Sequence, residues 1–119
     1  MAKIVFVDDE PEMLSTVQNV FTELGHEVLT SADGKEGLKL ILDHNPDLAF
    51  VDVRLGGLGG MEILKQARAQ RPGIKIIIFT GFNDQQIDDD ALKYGAVMCL
   101  HKPLGLQDLI DVIDKNVSK

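Results

Sequence analysis

Apolar residues along the chain gather in five short runs: Ile4–Val7, Glu27–Thr30, Leu48–Val51, Ile74–Phe79 and Val97–Leu100. Four are nearly continuous, as expected of strands buried on both faces of a parallel sheet. Glu27–Thr30 is mixed and predicts an edge strand. The intervening segments carry helical spacing instead. Met13, Leu14, Val17, Val20, Phe21 and Leu24 form one stripe, stopped by Gly25. Leu38, Ile41 and Leu42 form a second, closed before Asn45-Pro46, and Ile63, Leu64 and Ala67 a third, ended by Arg71-Pro72-Gly73. Leu106, Leu109, Ile110, Ile113 and Val117 make the cleanest stripe. The fourth helix, Asp84–Tyr94, is weaker: Ile87, Ala91 and Leu92 should face inward, with Asp84, Asp88, Asp89 and Asp90 crowding its first half.

Strand and helix thus alternate five times, which implies an α/β fold: a parallel sheet with helices on both faces and right-handed crossovers. Five strands point to a single doubly wound, flavodoxin-like (βα)5 sheet of order 2-1-3-4-5, its site at the carboxyl ends of the first and third strands. No linker, low-complexity tract or longer repeat interrupts the pattern, so one domain fills residues 1–119.

Composition narrows the function. The 119 residues carry a net charge of −7, which argues against direct nucleic-acid binding by this domain. Cys99 is the single cysteine, so there is no disulfide framework, and a reducing, cytoplasmic home is expected. No apolar run approaches the ~20 residues of a membrane span, and no signal peptide opens the chain.

Polar residues follow the apolar runs at their carboxyl ends. Asp8 and Asp9 close the first, Asp52 the third, Thr80 the fourth and Lys102 the fifth. The sheet should bring all five to one rim, where open α/β sheets bind ligands. Singly, each has a plainer use: acids after strands cap helices, and a lone lysine is usually solvated. Three adjacent carboxylates, Asp8-Asp9-Glu10, repel one another unless water or a cation intervenes. Hard oxygen ligands suit Mg2+, which takes one or two carboxylates and completes its shell with water and phosphate oxygens. With Thr80 to donate a hydrogen bond, Lys102 to neutralise charge and Asp52 as nucleophile, the rim suits an aspartyl phosphate.

The segments "VDDEP", "PDLAFVDVRLGGLGGMEIL", "IIIFTG" and "GAVMCLHKPL" occur in order across almost the whole chain. In them the chain resembles a response-regulator receiver domain of bacterial two-component signalling. The resemblance implies a phosphorelay in which a sensor histidine kinase or histidine phosphotransfer protein donates a phosphoryl group to Asp52. It implies an Mg2+ site of Asp8, Asp9, Asp52 and the Arg54 main-chain carbonyl. Thr80 would move to the phosphoryl group, Lys102 would pair with it, and the peptide bond preceding Pro103 would be cis. Phosphorylation would shift the face of the fourth helix, fifth strand and fifth helix, controlling an output domain or target protein, with homodimerisation open at the same face. The chain would be a signalling receiver, catalysing only its own phosphorylation and dephosphorylation.

Three departures stand out. Cys99 occupies the usual aromatic switch position, so the family's coupling of Thr80 to an inward-turning ring cannot run in that form; a buried strand thiol is the reading preferred to a redox role. Gly56 and Gly59 stand where the loop after Asp52 commonly holds a proline and an acid, and with Gly57 and Gly60 they make a permissive loop, which predicts mobility. The receiver pattern takes up all 119 residues, so no output domain is expected within them. Arg54 and Phe82, two residues beyond Asp52 and Thr80, are large and should shield the acyl phosphate from water. Three other readings compete. A haloacid-dehalogenase-type phosphohydrolase would need an acid where Arg54 stands. A flavodoxin-like cofactor binder would want a phosphate loop in place of "DDEPE". A phosphorylation-independent interaction module would keep the fold without the chemistry.

Overall fold

The computed structural model describes residues 2–55, 57–81, 85–102 and 105–117. Five strands and five helices alternate: β1 Lys3–Val7, α1 Pro11–Glu23, β2 Glu27–Ser31, α2 Gly34–His44, β3 Leu48–Asp52, α3 Gly60–Gln70, β4 Ile76–Thr80, α4 Gln85–Lys93, β5 Met98–His101 and α5 Leu106–Val117. All strand pairs are parallel, in the order β2-β1-β3-β4-β5. The predicted fold class and the edge position of β2 are both met.

Alternation along each strand feeds two cores. Val5, Val7, Ile76 and Ile78 pack under α2, α3 and α4 with Ile41, Ile63, Leu64 and Ala91. Ile4, Phe6, Phe50, Ile77 and Phe79 pack under α1 and α5 with Val17, Phe21, Leu109 and Ile113. Phe6 stacks on Phe50 with centroids 5.1 Å apart and lies 5.2 Å from Phe79, tying the three central strands together. Burying each such ring contributes about 1.5–3 kcal/mol.

Helix starts are written locally. Pro11 opens α1, where its missing N–H leaves nothing unpaired. Asp33 caps α2 by accepting from the Glu36 N–H at 3.0 Å. The start of α3 answers to space instead: a Cβ at Gly60 would lie 2.2 Å from the Asp52 carbonyl oxygen. Gly57, at φ 81°, adopts the left-handed backbone that side chains disfavour. These two glycines of the loop therefore have fixed geometric uses, beyond the permissiveness predicted for them. Gly56 lies outside the described residues.

Several expectations need correction. β5 is only half-buried throughout, because as the other edge strand it lacks a neighbour beyond it. β4 begins at Ile76, since the Ile74 N–H is spent in a turn with the Arg71 carbonyl. Leu24 is 52% exposed: α1 ends at Glu23 and Leu24 has left the helical phase. Leu92 is 55% exposed, because α4 turns Ala91 fully inward and half-buries Ile87 and Asp88.

Candidate functional site

Parallel register aligns the carboxyl ends of the central strands. Val7 sits beside Val51, Asp52 beside Phe79 and Thr80 beside His101. Just past β1, the Asp8 N–H donates to the Ser31 carbonyl, and Asp8 Oδ1 accepts from the Glu10 N–H at 3.1 Å. At the end of β3, Asp52 Oδ1 accepts from the Arg54 N–H at 3.0 Å. Each acid thus spends one oxygen on the turn that follows it, two residues on. The other oxygen is presented to a common point. Lys102 Nζ occupies it, 2.9 Å from Asp52 Oδ2 and 3.1 Å from Asp8 Oδ2. Lys102 is delivered there by its own N–H, bonded to the Thr80 carbonyl at 2.8 Å.

Glu10 completes the surround, its Oε1 3.1 Å from the same ammonium. The sequence reading noted Glu10 as one of three consecutive acids but gave it no role; that run was the available signal.

Burial dominates the electrostatics. Asp8 is fully buried, which pushes its carboxyl up to about 6, and the Lys102 ammonium and Glu10 N–H offset this only in part. Burial also works against the charge on Lys102, yet hydrogen bonds to Asp52, Asp8 and Glu10 hold its ammonium above the ordinary lysine range. Asp8 Oδ2 is buried with the Lys102 ammonium 3.1 Å away. Asp8, Asp9 and Asp52 bring one oxygen each within 4.8 Å of one another. One lysine facing three carboxylates, with Asp9 beside them, leaves room for further positive charge, and the all-oxygen donor set fits a hard cation such as Mg2+. Asp9, unlike Asp8 and Asp52, is exposed.

Of the other predicted residues, Thr80 is fully buried at the end of β4, and Arg54 is exposed with its N–H on Asp52. Pro103 and Phe82 lie outside the described residues, as does Asp84. Cys99 is not in the acid pocket. It sits on the face of β5 that packs with the core under α4, where a second polar cluster forms with Asp88 and His101. His101 Nε2 lies 3.1 Å from Asp88 Oδ2 and 3.0 Å from Oδ1. Burial first, then the Asp88 carboxylate, pushes the Cys99 thiol up to about 12. The thiol beside it, and next His101, hold Asp88 below the ordinary carboxylate range. Sequence reading missed this cluster, although Cys99 and His101 stand at strand spacing and so share a face.

Comparison with known proteins gives a consistent result. The sequence model of the family described as response regulator receiver domain matches residues 4–114. Sporulation initiation phosphotransferase F of Bacillus subtilis (strain 168) is 27% identical over 113 residues, 95% of this chain and 91% of its own length. The alkaline phosphatase synthesis transcriptional regulatory protein PhoP of the same organism is 34% identical over 108 residues, 90% of this chain but 45% of its own length. The chain thus spans most of one relative and under half of the larger regulators it matches. A crystal structure of a CheY-like response regulator receiver domain protein from Methanospirillum hungatei JF-1 superposes with a TM-score of 0.91 at 31% identity, covering 97% of this chain and 92% of that one.

Proposed function

The chain belongs to the response regulator receiver domain family, a family of two-component signal transduction, and from that premise we propose that Asp52 is its phosphoacceptor. The observation that carries the reading is the placement of Lys102 Nζ between the outward oxygens of Asp52 and buried Asp8. We read residues 1–119 as one receiver and the reaction as follows. Asp52 Oδ2 attacks the phosphorus of a phosphohistidine on a sensor histidine kinase or phosphotransfer protein. The N–P bond breaks and the imidazole leaves with its electron pair. Lys102 follows the charge from the carboxylate to a phosphoryl oxygen, and the Thr80 hydroxyl donates to another. The Arg54 N–H stays on Oδ1 and holds the nucleophile's orientation. Asp8, Asp9, Asp52 and the Arg54 main-chain carbonyl would hold Mg2+, which supplies neutralisation of the phosphoryl oxygens. The work is positioning and charge neutralisation, with no separate substrate turned over.

Thr80 is the register partner of His101 on β5, so its movement bears on the face made by α4, β5 and α5. We assign to that face the contact with an output domain or target protein, or with a second copy of the chain, and to the domain itself no nucleic-acid contact. Small, half-buried Cys99 cannot fill space vacated by Thr80 as a ring would; the response here runs through a shift of α4 on β5.

The test is phosphoryl incorporation from acetyl phosphate, with and without Mg2+, in the chain and in Asp52→Asn. Incorporation that requires both Mg2+ and Asp52 is expected. Incorporation that survives Asp52→Asn contradicts the assignment, and absence of both incorporation and Mg2+ binding would return the chain to an interaction module. No helix among the described residues is long and apolar enough to cross a membrane.

A further inference from the structure

The polar cluster under α4 has a donor set unlike that of the acid pocket. Asp88 comes from α4, and Cys99 and His101 come from alternate positions of β5. One ligand atom from each, a carboxylate oxygen, a thiol sulfur and an imidazole nitrogen, lies within 4.8 Å of the other two. In tetrahedral zinc sites, bonds of about 2.0–2.3 Å put neighbouring ligands about 3.3–3.8 Å apart. Small side-chain adjustments therefore suffice to close the trio around an ion. A second observation comes from within the cluster: Asp88 Oδ1 lies 3.0 Å from His101 Nε2, and the Cys99 thiol hydrogen-bonds to the same carboxylate, so the three donors already converge on one another. The three side chains are half-buried, with Asp88 26% and His101 37% exposed, so an ion can enter and a water can complete its shell.

We propose that Asp88, Cys99 and His101 form a binding site for a borderline divalent transition ion of the zinc class, distinct from the acid pocket. Mixed nitrogen, sulfur and oxygen donors select such an ion over Mg2+ or Ca2+, which take oxygen. Three protein ligands with a fourth position open to water is a regular zinc arrangement. On binding, the Cys99 thiol gives its proton to solvent and the sulfur coordinates as thiolate. No oxidation is involved. The ion inserts where Asp88 and His101 now meet directly, and so ties α4 to β5. That this stiffens the output face rests on the function proposed above; the binding itself does not.

Cobalt(II) is the probe, titrated into the whole chain with Mg2+ in excess to occupy the acid pocket. One equivalent should bind and give the intense thiolate-to-cobalt charge-transfer absorption, and Zn2+ should displace it. The absorption should persist in Asp8→Asn and disappear in Cys99→Ser. His101→Gln and Asp88→Asn, which leave the thiol in place, should weaken binding at least about tenfold. Absence of a thiolate band, or a band unchanged in both His101→Gln and Asp88→Asn, overturns the site. Cobalt binding lost in Asp8→Asn and kept in Cys99→Ser also overturns it, by assigning the ion to the acid pocket. None of these outcomes depends on whether Asp52 accepts a phosphoryl group.

Discussion

The acid pocket and the Asp88–Cys99–His101 cluster lie at the same end of the sheet, yet they are built on different terms. In the pocket, backbone places the charge: Asp8 and Asp52 are each turned by a main-chain N–H two residues on, and Lys102 is anchored through its N–H to Thr80. In the cluster, side chains from a helix and an edge strand meet only because α4 packs on β5. The pocket is deep, with Asp8 fully buried and Asp52 5% exposed, and its excess negative charge calls for a hard cation. The cluster is half-buried and mixed in donors, and suits a softer one. Backbone-placed groups hold their geometry while a reaction proceeds. Side chains placed by packing between two elements follow those elements when they move.

Lys102→Ala should break the pocket most severely. It removes the cation proposed to meet the developing phosphoryl charge, and the transfer rate should fall by about 10²-fold or more, measured with acetyl phosphate at saturating Mg2+. Cobalt binding at the cluster should persist, because Lys102 contributes nothing to it. Gly60→Ala comes next. A Cβ at 2.2 Å from the Asp52 carbonyl oxygen must displace that segment, at about 1–3 kcal/mol of stability by urea unfolding. Nuclear magnetic resonance shifts should change around Asp52 and remain unchanged at His101.

Asp8→Asn sharpens the contrast through pH. The Asp8 carboxyl is raised from 3.8 to about 6, so between those values the folded chain holds a proton that the unfolded chain has lost. Metal-free stability therefore falls as pH rises through that window, and Asp8 disfavours the fold above it. In Asp8→Asn, the metal-free chain should melt higher than the parent at pH 7.5 and be more stable by on the order of 1–3 kcal/mol. The difference should vanish near pH 4 and shrink when Mg2+ is added to the parent. A melting temperature equal to or below the parent's at pH 7.5 would mean that Lys102 already compensates the buried charge. The smallest effect is kinetic: Arg54→Ala with Phe82→Ala should speed loss of the phosphoryl group severalfold, read by mass spectrometry after donor removal, and an unchanged rate would refute shielding.

The same contrast explains what was legible in the sequence. Asp52 directly follows the buried run Leu48–Val51, and Lys102 closes the last strand; parallel alternation alone brings such strand-end residues to one rim. Asp88 needed the rotational phase of α4, a helix with a single fully buried residue, Ala91. Hydrophobicity favoured turning Leu92 inward, and the Asp88–His101 contact accompanies the opposite phase. The apolar run at β5 hid its half-exposure, because sequence continuity does not reveal which strand of a parallel sheet lies at the edge. Gly60 looked like freedom and is a steric requirement, visible only once the Asp52 carbonyl is placed against it.

The central claim is that Asp52 takes the phosphoryl group, and the site of the bond can be read directly. After incubation with acetyl phosphate and Mg2+, borohydride reduction converts an aspartyl phosphate to homoserine, which peptide mass spectrometry locates. The account predicts homoserine at position 52 alone, dependent on Mg2+. Conversion at Asp8 or Asp9, or an adduct that resists reduction and maps to a hydroxyl or imidazole side chain, would contradict it.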